Sequence, residues 1–240
     1  MSKPLVFIHG SGDSGRIWRL QTEHFGPQRA LAIDLPGHGQ RPDIFPIEVT
    51  VPDYAHAAYE IVTGELQLEQ PIIAGHSLGG AVALMMALEY GSQLGGLILI
   101  GTGARLRVHP DLLNDARQAP QQARSRLSEL AGTPSNGDAP PRSSSVTQEQ
   151  SASAPPILYR DLAACNVFDI MKRLYEIHLP TLVICGMNDH LTPLKYSDYL
   201  HKHIEGSTFH SIPDAGHYVM REQPEAVNQI IEDWLKQEHL

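Results

Sequence analysis

Pro71–Tyr90, with the sequence PIIAGHSLGGAVALMMALEY, is the stretch that decides the fold. Its first four residues predict a short buried strand, and Ala81–Tyr90, which is apolar nearly all round, predicts a helix buried against a sheet. Between them, the glycines of Gly75–Gly80 permit a sharp turn from strand to helix. Such a turn exposes the hydroxyl of the residue at its tip, so we predict Ser77 to be a nucleophile.

Short apolar runs alternate with amphipathic segments along the rest of the chain, which is typical of a mostly parallel sheet covered by helices. The other predicted strands are Leu5–Ile8, Ala30–Ile33, Gly96–Ile100, Thr181–Cys185 and the weaker Ser207–Ile212. Helical spacing of apolar residues follows Pro52 and again Pro224. The sequence therefore predicts an α/β fold with a sheet of about six strands.

Residues 102–178 interrupt this alternation because they contain no strong strand signal. Asp111–Ala131, interrupted at Pro120, and Leu158–Ile177 predict helices. Gly132–Pro156 is rich in Ser, Pro, Ala and Gln and has too few large apolar side chains to bury a core. We expect residues 1–101 and 179–240 to form the core domain, and residues 102–178 to be an inserted helical cap with a low-complexity loop at 132–156.

Composition excludes several classes of protein. The net charge of −9, from 27 acidic and 18 basic residues, argues against general binding of nucleic acid or of anionic membranes. Cys165 and Cys185 form no CxxC motif and no disulfide framework. The apolar run Leu5–Ile8 is too short for a signal-peptide core, and no run is long enough for a membrane span. We expect a cytoplasmic protein that is a monomer by default and holds no metal.

A serine hydroxyl needs a base to remove its proton, and the expected base is a histidine oriented by a carboxylate. His217 follows the last predicted strand in the segment Asp214-Ala215-Gly216-His217-Tyr218, where glycine allows a tight loop over the carboxyl edge of the sheet. His76 is the nearest rival in sequence, but we expect a neighbour on the turn to point away from the nucleophile. We predict His217 to be the base.

Asp189 is the favoured carboxylate because it follows the strand Thr181–Cys185, which puts it at the same sheet edge as Ser77. It also gives the chain order Ser, Asp, His. Asp34 is the main alternative, although it precedes the serine and lies in a segment typical of a structural turn. Asp214 is too close to His217 in sequence to orient it easily.

Stabilising the negative oxygen of an ester intermediate requires two backbone N–H groups. Leu78 follows the nucleophile and is predicted to supply one, and Ser11, in the loop after the first strand, the other. A phosphate-binding loop is the competing interpretation of His9–Gly15. That segment lacks the Gly-Lys-Ser/Thr ending of such loops and completes no GxGxxG pattern.

These motifs together resemble the α/β-hydrolase superfamily. His9-Gly10 resembles its oxyanion loop and Gly75–Gly80 its nucleophile elbow, while Gly186–Asp189 and Gly216-His217 resemble its acid and base loops. The chain is similar to small bacterial serine esterases, a group that includes cofactor-free haloperoxidase-like members. The resemblance implies an α/β-hydrolase fold with a helical cap, a small-molecule ester substrate and no cofactor.

Hydrolysis of carboxylic esters through an acyl-enzyme on Ser77 is the expected activity. Two alternatives stay open: carbon–carbon bond hydrolysis or a lyase reaction with the same residues, and a ligand receptor on a hydrolase scaffold. An apolar pocket favouring small to medium acyl groups is expected, although its residues could equally form the core of the cap. The predicted pocket residues are Leu106, Leu112, Leu113, Leu158, Leu162 and Phe168.

Overall fold

The computed structural model describes residues 2–46, 48–132 and 157–240. Within these ranges six strands form one sheet in the order β2-β1-β3-β4-β5-β6, and every neighbouring pair is parallel. The strands are β1 Leu5–Ile8, β2 Ala30–Ile33, β3 Ile72–His76, β4 Gly96–Ile100, β5 Thr181–Gly186 and β6 Thr208–Ile212. The predicted α/β fold class is confirmed.

Helices connect the strands and cover both faces of the sheet. They are α1 Arg19–Phe25, α2 Val51–Tyr59, α3 Leu78–Tyr90, α4 Pro110–Gln118, α5 Pro120–Leu130, α6 Ile157–Val167, α7 Leu194–His203, α8 Val219–Glu222 and α9 Pro224–Gln237. A π-helical segment, Glu60–Glu65, extends α2. In the described ranges no helix is long and apolar enough to cross a membrane.

The central strands are buried on both sides, as expected for a parallel sheet between two layers of helices. One apolar cluster joins alternate strand residues to α2, α3 and α7. The other joins the opposite strand faces to Trp18 beside α1 and to Trp234 of α9. Helix α3 packs between the sheet and α2, so all of Leu78–Ala87 is buried, as its apolar sequence predicts.

The strand order reverses direction between β1 and β3, which are neighbours in the sheet. The chain after β1 crosses to β2 at one edge of the sheet, whereas the chain after β3 crosses to β4, toward the opposite edge. The loops that leave β1 and β3 therefore diverge and open a crevice at the carboxyl edge, the usual ligand position in open α/β sheets. The loop 9–14 and the turn at Ser77 border this crevice.

Helices α4, α5 and α6 lie between β4 and β5, inside the predicted insertion. They share a small apolar cluster separate from the two sheet clusters, formed by Leu112, Ala116, Ala123, Leu158 and Leu162. Of the predicted loop at 132–156, only Gly132 lies within the described residues. The division into a core domain and a cap stays a prediction.

One helix is shorter than the sequence predicts. The pattern over Leu158–Ile177 predicts continuous helix, but α6 ends at Val167. Phe168 then turns into the main core, and Asp169 forms an antiparallel bridge with Arg105. Both interactions are tertiary, so helical spacing of apolar residues could not reveal this end.

Candidate active site

Ser77 has a backbone conformation that residues other than glycine rarely adopt, with φ 54° and ψ −117°. Its N–H donates to the carbonyl of Ile100 at 3.1 Å, and its own carbonyl accepts from the first turn of α3. The neighbouring glycines are obligatory. A Cβ on Gly75 would lie 2.1 Å from the carbonyl oxygen of Gly79, and one on Gly79 would lie 2.3 Å from that of Ile8. The tight packing therefore fixes the serine at the tip of the turn.

His217 and Asp189 form a buried hydrogen-bonded pair. Nδ1 of His217 lies 2.8 Å from Oδ2 of Asp189, and the two residues are each 3% exposed. The other carboxylate oxygen accepts the backbone N–H groups of Leu191 and Thr192, both at 2.8 Å. The hydroxyl of Thr192 donates to Oδ2 at 2.7 Å. The pairing leaves Nε2 of His217 without a role in binding the carboxylate.

Asp189 is held in its charged form. Burial opposes ionisation, but the hydrogen bonds from His217 and Thr192 outweigh it, so the pKa of Asp189 lies below its ordinary value. A buried carboxylate with these donors is a fixed negative charge facing Nδ1 of the imidazole. Such a charge keeps the proton on Nδ1 and stabilises the imidazolium whenever Nε2 takes up a second proton.

Asp34, the alternative carboxylate, serves a turn. Its oxygens accept the backbone N–H groups of Gly15 at 2.7 Å and of Gln40 at 3.1 Å. Gly39 has a positive φ, and a Cβ there would overlap the Asp34 carboxylate. These contacts tie the segment after β2 to the segment after β1, as the sequence suggests for a structural turn.

The backbone of His217 is anchored on both sides. Its N–H donates to the carbonyl of Ala131, at the end of α5, at 2.7 Å. Its carbonyl accepts from Nε2 of His76 at 2.9 Å. The loop around it is fixed further by Glu222, whose carboxylate accepts the N–H groups of Gly216 and Tyr218.

His76 supports the loop that carries His217, and its expected direction away from the nucleophile stays a prediction. Its ring lines the same cavity as Ser77 and lies 4.5 Å from the His217 ring, measured between centroids. Burial first, and then the proximity of His217, hold the pKa of His76 well below its ordinary value. A neutral His76 donates through Nε2 and adds no positive charge next to His217.

The two predicted oxyanion donors lie at the ends of neighbouring elements. Leu78 is the first residue of α3, so its N–H has no acceptor within the helix. Ser11 lines the cavity from the loop after β1, in which the Asp13 N–H donates to the Gly10 carbonyl at 3.3 Å. A helix N-terminus also favours negative charge, so this corner suits an oxyanion.

A cavity of about 240 Å³ joins these groups. Ser11, Ser77 and His217 line it, together with Leu106, Leu112 and Leu162 of the six predicted pocket residues. The other three do not line it: Leu113 and Leu158 pack in the cap cluster, and Phe168 packs in the main core. Which face of a helix points to the cavity depends on how the cap is docked, and the sequence does not specify that docking.

Several lining residues were not predicted. They are Gly10, Asp13, Arg107, Val108, His109, Leu127, Leu130, Cys165, His190, Leu191, Thr192, Tyr196 and Tyr218. Arg107, His109 and His190 are exposed, whereas Cys165 is buried, so the lining is polar toward solvent and mostly apolar inside. The contact of Leu191 with Asp189 could have been found, because an Asp side chain commonly accepts the backbone N–H two residues further on.

A metal site in a protein requires several His, Cys, Asp or Glu side chains close together. Across the described ranges, no group of three or more His, Cys, Asp or Glu side chains could hold a metal ion.

Known proteins are similar to this chain over most of its length. Residues 5–230 match the alpha/beta hydrolase family. A pimeloyl-[acyl-carrier protein] methyl ester esterase from Neisseria meningitidis is 27% identical, over 98% of this chain and 94% of its own length. A protein from Pseudomonas syringae, provisionally named as the carbamate hydrolase RutD, is 29% identical over 89% and 86%. A solved thermophilic esterase is 34% identical, covers 98% of this chain and 90% of its own, and has a TM-score of 0.84.

Proposed function

Because the chain belongs to the alpha/beta hydrolase family, we propose that it is a serine hydrolase that cleaves carboxylic esters through an acyl-enzyme on Ser77. One observation carries the proposal. A serine held at a positive φ on a strand-to-helix turn shares a cavity with a histidine whose Nδ1 is bound to a buried carboxylate. Esterases among the similar proteins support the same class of reaction.

The first half of the reaction forms the acyl-enzyme. The hydroxyl of Ser77 attacks the ester carbonyl while Nε2 of His217 accepts its proton, and Asp189 stabilises the resulting imidazolium. The carbonyl oxygen becomes an oxyanion held by the N–H groups of Ser11 and Leu78. His217 then returns the proton to the leaving alcohol, which departs as the ester bond breaks.

The second half consumes water. Nε2 of His217 takes a proton from water, which attacks the acyl carbonyl, and the same two N–H groups hold the oxyanion. Collapse of this intermediate releases the acid and returns the proton to Ser77. No step requires a cofactor.

The cavity supports a preference for small to medium, uncharged acyl groups. Its volume of about 240 Å³ is below the range usual for drug-sized ligands. Leu106, Leu112 and Leu162 form an apolar part of the wall, against which a charged group would lose water without gaining a partner. The similarity to a protein named as a carbamate hydrolase makes carbamates the second substrate class to test, because the same attack applies to their carbonyl.

The test is a panel of nitrophenyl esters from acetyl to palmitoyl, with a nitrophenyl carbamate and a charged succinyl ester, on wild type and Ser77→Ala. We expect multiple turnovers, highest kcat/KM for short and medium chains, and loss of hydrolysis in the variant. Retained hydrolysis in Ser77→Ala would contradict the proposal. A single slow release of product from wild type would favour the receptor alternative, and highest activity on the succinyl ester would overturn the predicted acyl preference.

A further inference from the structure

Helix α6 of the predicted cap packs directly on the loop that carries Ser11. Leu158, Asp161 and Cys165 lie on one face of the helix and are all buried. Asp161 Oδ2 accepts the backbone N–H of Gly12 at 2.7 Å, and Cys165 Sγ lies 3.8 Å from the Ser11 hydroxyl. One face of a single helix therefore contacts two consecutive residues of this loop.

Asp161 is an unusually costly residue for a helix to bury. It is 0% exposed, and a charge in such a place must be fully paired. Besides Gly12, its partners are Nε2 of His38 at 2.9 Å and the hydroxyl of Tyr54 at 2.6 Å. Burial opposes ionisation, but these donors outweigh it and lower the pKa of Asp161. The Gly12 N–H therefore donates to a carboxylate, which makes a stronger bond than a neutral acceptor would.

The bond to Gly12 acts on the peptide next to the oxyanion donor. Gly12 has φ +66°, so the chain turns sharply there, and the N–H that Asp161 accepts belongs to the peptide that links Ser11 to Gly12. A Cβ on Gly12 would lie 3.1 Å from Cδ1 of Leu158, so the helix also limits this turn sterically. Fixing this peptide restrains the Ser11 N–H, because only the φ and ψ rotations of Ser11 separate the two groups.

We infer that Asp161 is a positioning residue that joins the cap helix to the oxyanion loop, so that the Ser11 donor is aligned only when α6 is seated. The inference rests on the proposed function. It means that the segment that shapes the substrate cavity also controls the rate of the chemical step. Substrates that disturb α6 would be hydrolysed slowly even when they bind.

Three variants test this: Asp161→Ala removes the acceptor, Asp161→Asn keeps a neutral acceptor, and Tyr54→Phe is the matched control. Tyr54→Phe deletes another buried hydrogen bond to the same carboxylate but leaves Oδ2 with Gly12. A donor displaced by about 1 Å lowers catalysis roughly 100-fold. In Asp161→Ala we therefore expect kcat to fall roughly 100-fold, while KM changes less than about threefold. In Asp161→Asn we expect kcat to fall about tenfold. In Tyr54→Phe we expect little change in kcat.

A trifluoromethyl ketone gives a readout that a loss of stability would not move. Its adduct with Ser77 carries an oxyanion, so in Asp161→Ala its inhibition constant should rise by the factor by which kcat/KM falls. Rates are normalised to active sites titrated with a fluorophosphonate. If Asp161→Ala and Tyr54→Phe lose the same amount of kcat, or if the inhibition constant does not change, the inference is overturned.

The amide of Gly12 provides a measurement that does not depend on activity and that serves if Asp161→Ala fails to fold. In Asp161→Asn its NMR signal should move upfield and its exchange should become faster, while Tyr54→Phe leaves both unchanged. A shifted Gly12 signal with unaltered kcat would overturn the inference while leaving the proposed function intact. Absence of Ser77-dependent hydrolysis in wild type would instead remove the proposed function, and the inference with it.

Discussion

Oδ2 of Asp189 lies 2.8 Å from Nδ1 of His217, although 28 positions separate the two residues in the chain. Thr192 adds a second donor to the same oxygen, and two backbone N–H groups occupy the other. The imidazole is thus fixed in one orientation and one tautomer before any substrate arrives. That preorganisation is what a general base needs, and it leads to the first prediction.

Asp189→Asn should lower kcat by about 10³–10⁴-fold while the protein stays folded, because an amide at this position no longer favours the tautomer with the proton on Nδ1. Asp34→Asn is the control, since among the hydrogen bonds described that carboxylate accepts only the backbone N–H groups of Gly15 and Gln40. We expect it to reduce stability and to change kcat less than about threefold. Steady-state kinetics and thermal unfolding of both variants give the comparison. Equal losses of kcat would show that the carboxylate is misassigned.

Ser77→Gly should have a larger free energy of unfolding than Ser77→Ala. Both variants lack the hydroxyl, but alanine keeps the Cβ that makes φ 54° unfavourable, whereas glycine adopts this conformation freely. Strain of this kind destabilises the folded state by about 1–3 kcal/mol. The greater freedom of glycine in the unfolded chain offsets part of this gain, so we expect the free energies of unfolding to differ by about 1 kcal/mol. Urea unfolding measures it. Equal stability would mean that the turn is not strained.

Leu112→Ala and Leu113→Ala form a matched pair for the pocket. Both side chains pack in the apolar cluster of α4, α5 and α6, but only Leu112 also lines the cavity. We expect Leu112→Ala to shift selectivity toward longer acyl chains by about tenfold in the ratio of kcat/KM values. Leu113→Ala should leave that ratio unchanged. An acyl-chain panel measures both, and a shift in the Leu113 variant alone would contradict the assignment of the wall.

Stability should fall as the pH drops from about 6.5 toward 4. His9 is fully buried, and burial first, then the charge of nearby His38, lowers the pKa of His9 to about 4. Between this value and the ordinary one near 6.5, the unfolded chain binds a proton that the folded chain does not, so acid favours unfolding. The full effect for His9 is about 3 kcal/mol.

His9→Gln tests this pH dependence, because glutamine can still accept the Leu35 N–H that now donates to Nε2 of His9 at 3.1 Å. Urea unfolding between pH 4.5 and 7 should show a shallower slope than in wild type. The slope should not vanish, because His76 also has a lowered pKa and titrates in the same direction. Identical slopes in the two proteins would show that His9 is protonated in the folded state.

The sequence by itself determined the parts of this protein that depend on short-range sterics and periodicity. Gly75 is required by a close contact with Gly79, only four residues later, so the strand, turn and helix around Ser77 could be predicted from one segment. The six strands could be found because buried strands are short continuous apolar runs. Chain order and the position of loops after strands were enough to select Asp189 and His217.

Only the tertiary structure decided which residues line the cavity and which distant segments contact each other around Ser77. The strand order puts β1 next to β3, which brings the Ser11 loop to the serine turn. The packing of the helices between β4 and β5 decided that three of the six predicted residues line the cavity, and that α6 ends at Val167. It also brought Asp161 to Gly12 across 149 positions of sequence. No local pattern specifies such a contact, because its free energy comes from burying and pairing groups that meet only after the chain has folded.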